Sequence, residues 1–239
     1  MLFLPVASRS GTVFAAVLLT AQATWGNVPP TSPAPVPNPR TLDCQGNLDS
    51  VIRALEVSQT DRKKIGTLLL KARLLRDDRS RKNARSEGMA ALDEGLSKAL
   101  EAEVRYPTKS WPWALEAMLD LVKTQYLGFP KGMSVATRAS RANKKALELE
   151  PDDPEANLSK GIEYYYKPWF VGGSFVKALD RFRKARNADP TNPRILSWTG
   201  LAYLAVDRDR RGFALLKKAS DLCPGNPIYA RRLRTRRPR

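Results

Sequence analysis

Asp152, Asp153 and Glu155 crowd together in the stretch "LEPDDPEAN". Such a cluster could hold a hard cation or work as a general acid and base. Nothing else in the chain completes either chemistry. There is no histidine, which removes histidine-assisted nucleophilic catalysis and histidine metal ligation. Cys44 and Cys223 are the two cysteines, isolated from each other in sequence, and cannot make a zinc site. No G-x-x-x-x-G-K-[ST] or G-x-G-x-x-G stretch offers a phosphate cradle. The acidic cluster sits where a helix should begin, and negative charge there complements the helix macrodipole. The sequence therefore points away from an enzyme, with no catalytic residue, metal or cofactor expected.

What remains is a matter of surfaces, and the elements that present them follow from composition. Residues 1–23 have the form of a signal peptide: Arg9, an apolar run "TVFAAVLLTA" too short to span a bilayer, and Ala21-Gln22-Ala23 as a small-residue cleavage site. The expected location is periplasmic or secreted; cleavage and retention as an anchor are both open. Residues 24–41 form a Pro-rich linker, since the prolines of "VPPTSPAPVPNP" remove donors and fix φ. An oxidising compartment allows a Cys44–Cys223 bond, but nothing in the sequence fixes their distance. Leu42 and Asp43 before Cys44 make a poor lipidation signal. The formal net charge is +17, and the last nine residues, "RRLRTRRPR", hold six arginines. Export argues against nucleic acid as the partner. A basic tail over residues 227–239 would instead suit an anionic surface.

Between linker and tail the pattern is helical and repetitive. "KKALELEPDDPEA", "RKARNADPTNPRI" and "KKASDLCPGNPIY" align on their prolines, with Pro190 and Pro224 separated by 34 residues. Pro151 precedes Pro190 by 39 residues and follows Pro107 by 44. Small residues recur where paired helices must approach: Gly161, Ala178 and Ala185 in one unit, Gly200 and Ala219 in the next. With Tyr164, Phe182 and Tyr203 between them, this punctuation resembles the tetratricopeptide repeat (TPR) family. The resemblance implies an all-α, right-handed helix-turn-helix solenoid of about four helix pairs. Its TPR-like repeats would cover 110–226, and N-terminal helices with a degenerate repeat would occupy 42–109.

The longer repeats carry their extra residues in the turn inside each helix pair, in "QYLGFPKGMS" and "YKPWFVGGSF". Pro168 should end one helix near Tyr166, Gly172-Gly173 should reverse the chain and Ser174 should cap the next helix. Trp169 and Phe170 then either seal the loop onto its own helices, the commoner fate of aromatics, or form one wall of a binding site. This Pro-Trp-Phe-x-Gly-Gly insert is also similar to helical-repeat proteins that accompany TRAP-type transporters. That resemblance implies handling of a small apolar ligand. The TPR resemblance implies a concave groove, lined here by Trp111, Met118, Leu121, Leu158, Ile162, Tyr165, Arg194, Leu201 and Leu204. The function expected is a non-enzymatic, exported interaction module that binds another cell-envelope protein through this groove. The transporter-associated role is the alternative.

Overall fold

Helix-forming runs punctuated by proline and glycine become helices throughout the part of the chain that the structure, a computed structural model, describes: residues 38–57, 60–78 and 80–235. The expected signal peptide and most of the Pro-rich linker lie outside the described residues. In chain order the helices are α1 (Pro39–Gln45), α2 (Leu48–Val57), α3 (Asp61–Asp77), α4 (Ala84–Arg105), α5 (Trp111–Leu127) and α6 (Gly132–Leu149). Then follow α7 (Pro154–Tyr166), α8 (Phe175–Ala188), α9 (Pro193–Leu204), α10 (Asp209–Leu222) and α11 (Pro227–Thr235). Among the described residues there is no strand.

The helices pair as the repeat pattern implies: α3 with α4, α5 with α6, α7 with α8 and α9 with α10. The first members, α3, α5, α7 and α9, pack side by side as an inner layer. Local chemistry starts α5, α7 and α9. Pro112, Pro154 and Pro193 stand in the first turn of α5, α7 and α9, where no donor is lost. Asp153 caps α7, its Oδ1 accepting from Ala156 N at 2.7 Å, and Asn192 caps α9 in the same way. Asp153 also accepts from the Ser110 hydroxyl at 2.7 Å, and Glu155 pairs with Arg194. The acidic cluster of the sequence thus spends two of its three carboxylates on capping and pairing.

Close approach explains the small residues. A Cβ on Gly161 would lie 2.4 Å from Phe182 Cε1, so the glycine lets that ring pack against α7. Ala178, Ala185, Ala202 and Ala219 are fully buried between helices. One core runs through α3 to α10, with Phe182 stacked on Trp198 at 6.0 Å between ring centroids.

The two ends of the described chain depart from expectation. The sequence reading places residues 39–41 in the linker, yet α1 starts at Pro39, with Asn38 capping it. It places residues 227–235 in a basic tail, yet they form α11, with Ile228 and Tyr229 buried. The reason is shared. Asp43 on α1 is a buried hub that accepts from Arg73 Nη1 at 3.2 Å, from Asn226 Nδ2 at 3.2 Å and from the Tyr229 hydroxyl. Cys44 and Cys223 are joined as a disulfide, their Cα atoms 4.4 Å apart. A Cβ on Gly46 would meet Gly225 O at 2.6 Å, so the backbones touch there. The N-terminal and C-terminal helices are therefore clasped together.

Candidate functional site: the edge formed by the turns within each pair

The turn between α7 and α8 is built to hold two aromatic rings outward. Lys167 takes an extended conformation ahead of Pro168 and ends α7. Trp169–Val171 make one turn of 3-10 helix, and Gly172 reverses the chain at φ +92°. Ser174 N donates to Tyr164 O at 3.0 Å, and the Ser174 hydroxyl accepts from Lys177 N at 3.3 Å to cap α8. Both ends of the loop are thus fixed. At its tip Trp169 is 85% exposed and Phe170 71% exposed. Their rings meet edge to face at 5.9 Å. Sealing of the loop by these two rings, the commoner fate of such aromatics, does not occur; Pro168 and the 3-10 turn carry them away from the helices. Val171, Phe175, Val176 and Tyr166 extend the exposed apolar surface around them.

The neighbouring long turn does the same. Between α5 and α6, Gly128 turns the chain at φ +70° and Phe129 is 87% exposed, followed by exposed Lys131 and Met133. Since α5 and α7 pack side by side as first members of their pairs, both turns leave the inner layer at the same end. Glu163 braces this region. Its buried carboxylate accepts from the Ser140 hydroxyl at 2.8 Å, Asn143 Nδ2 at 3.0 Å, Lys160 Nζ at 2.9 Å and Lys167 Nζ at 3.3 Å. Burial alone would raise its pKa, but Lys160 and these hydrogen bonds hold it below the usual carboxylate range. The loop base is therefore tied to both α6 and α7.

The groove expected from the sequence is not an open surface. Met118, Leu121, Leu158, Ile162 and Leu201 are buried core residues; Trp111, Tyr165, Arg194 and Leu204 are partly buried. The helix faces are those expected, but α3 and α11 close over them. The space left is a cavity of about 30 Å³, bounded by Met118, Ile162, Trp198 and Ile228 and by four arginines, Arg73, Arg76, Arg194 and Arg232. That is room for a water or two. The Arg232 guanidinium lies over the Trp198 ring at 4.3 Å and donates to the Ser197 hydroxyl at 2.9 Å. Burial, with Arg73 beside it, pulls the pKa of Arg232 down to about 10. Sequence reading found Arg194 but missed Arg73, Arg76 and Arg232, because α3 and α11 are far apart in the chain and only the fold brings them together, with Ile228 beside Leu70 and Leu74 and Arg231 paired to Asp77. A helical Ile-Tyr-x-x-x-Leu pattern in 228–233 was the one available signal for α11. Among the described residues no group of histidine, cysteine, aspartate and glutamate could hold a metal ion.

The crystal structure of TTC0263, a thermophilic TPR protein of Thermus thermophilus, is similar to this chain with a TM-score of 0.51 at 18% identity. The match covers 83% of this chain and 96% of that one. A point mutant of MamA and MamA AMB-1 align with TM-scores of 0.36 at 17% and 16% identity, over 77% and 81% of this chain and 92% of each of theirs. No family model matches the sequence, and no curated protein matches it. Together with the pairing described above, the TTC0263 likeness defines the fold as an all-α helical repeat of TPR type.

Proposed function

We propose that this protein is an exported, non-enzymatic interaction module that holds a partner in the cell envelope through the edge carrying Trp169 and Phe170. The observation that carries the reading is the solvent exposure of those two rings, 85% and 71%, on a loop whose base is pinned by Glu163 and Ser174. Contiguous exposed apolar residues on a fixed scaffold mark an interaction site, since leaving them in water is unfavourable. The TPR-type scaffold favours a protein-interaction role, and the closed inner face moves the docking site from the groove to the edge. A small apolar ligand, the transporter-associated alternative, is not favoured by an inner cavity of about 30 Å³ lined with arginines. The test is fractionation in the native host. The mature chain should begin near Thr24 and co-fractionate with envelope material, and Trp169→Ala/Phe170→Ala should release it. A cytosolic chain with intact Met1, or unchanged retention of the double variant, would refute the reading.

A further inference from the structure

We propose that the edge formed by the turns within the helix pairs docks on an anionic lipid bilayer. Trp169 and Phe170 enter the headgroup–acyl boundary, and the basic residues around them meet the lipid phosphates. This rests on the edge reading above and names the surface that the edge meets.

Three observations coincide on this edge. The first is apolar: Trp169, Phe170 and Phe129 stand on protruding turn tips, each more than two-thirds exposed. They line neither the basin beside the turn between α3 and α4 nor the small inner cavity. A convex aromatic tip finds complementary surroundings in a fluid interface, where Trp in particular settles at headgroup level.

The second is the sorting of charge between the two edges of the solenoid. The turns inside the pairs are 78–83, 128–131, 167–174 and 205–208. Among their described residues they carry Arg81, Lys82, Lys131, Lys167 and Arg208 against Asp78 and Asp207. The turns that link one pair to the next are 106–110, 150–153, 189–192 and 223–226. They carry Lys109 against Glu150, Asp152, Asp153 and Asp189. One edge is therefore positive and the other negative, and the exposed aromatic tips lie on the positive one. That polarity orients the molecule at a surface of negative potential before any apolar contact forms.

The third is a basin of about 210 Å³ beside the turn between α3 and α4, lined by Arg76, Arg81, Lys82, Arg85, Asp78 and Gln125. Arg85 donates to Tyr126 O at the end of α5, and Arg76 to Gln125, which places the basin next to the Phe129 turn. Arg81 is shared with Glu87 at 3.0 Å, whereas Lys82 pairs with no carboxylate among the described residues. A phosphodiester headgroup has the charge and size for such a basin.

The experiment is co-sedimentation of the mature, oxidised protein with vesicles of phosphatidylcholine alone or with added phosphatidylglycerol. Binding should need phosphatidylglycerol and weaken as salt is raised. Trp169→Ala/Phe170→Ala should lower vesicle affinity about 10–100-fold, with the circular dichroism spectrum unchanged. Lys131→Gln and Lys82→Gln should each cost about fivefold, whereas Lys109→Gln on the opposite edge should cost nothing. Trp169→Phe should keep most of the binding but lose the quenching of tryptophan emission by brominated lipid. Equal binding to neutral and anionic vesicles, or equal binding by the double variant, would overturn the proposal. Trp169-dependent retention on native envelope without any vesicle binding would overturn it too, assigning the edge to a protein and leaving the proposed function standing.

Discussion

Breaking the Cys44–Cys223 bond should be the largest single perturbation of this protein that removes no packed atoms. The bond closes a loop with a sequence separation of 179. In the chain-entropy view, a closure of that length restricts the unfolded chain by about 5 kcal/mol at room temperature. Engineered and native bridges often deliver less, so about 2–5 kcal/mol is the working range. Some of the clasp survives reduction, because Asp43 still holds Arg73, Asn226 and Tyr229. These contacts act on the folded state and leave the unfolded chain free to expand, so they do not replace the bond. The assay is urea unfolding of oxidised and dithiothreitol-reduced protein, with thiols titrated before each run. A loss near 5 kcal/mol moves the midpoint down by roughly 2 M urea, and m should rise as the reduced unfolded chain expands. Cys44→Ser and Cys223→Ser should each reproduce the loss, and the double variant should add nothing. A midpoint shift below about 0.5 M with both thiols titrated, or additive losses in the double variant, would refute the argument that the bond works through the unfolded chain.

Asp43→Ala should cost about 3–5 kcal/mol in the oxidised protein, because it strands the buried Arg73 guanidinium; a melt like that of a surface variant would show that the hub is not buried. Ala185→Trp should lose about 1–3 kcal/mol or more by overpacking a fully buried contact. Ala188→Trp, at an exposed position, should melt near wild type, and equal losses would mean the helix register is wrong. Glu103, at the interface of α4 with α5, has its pKa raised to about 8 by burial and by the Glu116 charge. The folded chain then keeps a proton that the unfolded chain releases above about pH 4.3. Stability should therefore fall as pH rises from there to about 8. Glu103→Gln should flatten that slope and gain about 1–2 kcal/mol at pH 8, after allowance for its partial exposure; parallel pH curves for the two proteins would refute this.

The amino-acid sequence by itself determined the repeat. Prolines that cannot continue a helix, glycine and alanine where backbones touch, and Asp, Asn and Ser at helix starts are local requirements, so they are legible in one dimension. Gly161 at a close approach of paired helices and Ser174 capping α8 were readable in this way. The site was legible only in part. The sequence marked Trp169 and Phe170, because a proline and two glycines bracket them. Whether they faced in or out depended on the 3-10 turn and on the packing of α7 against α8. The inner face was decided by tertiary structure alone. Met118, Ile162 and Leu201 have the same periodicity whether they line an open groove or a closed core. The difference is made by α11, which with α3 closes over the inner face; it is tied to α1, at the other end of the described chain, by the buried Asp43 carboxylate, beside the disulfide from Cys44 to the end of α10. The sorting of charge between the two edges has the same origin. Lys82, Lys131, Lys167 and Arg208 are scattered in sequence, and only the side-by-side stacking of α3, α5, α7 and α9 brings their turns to one edge.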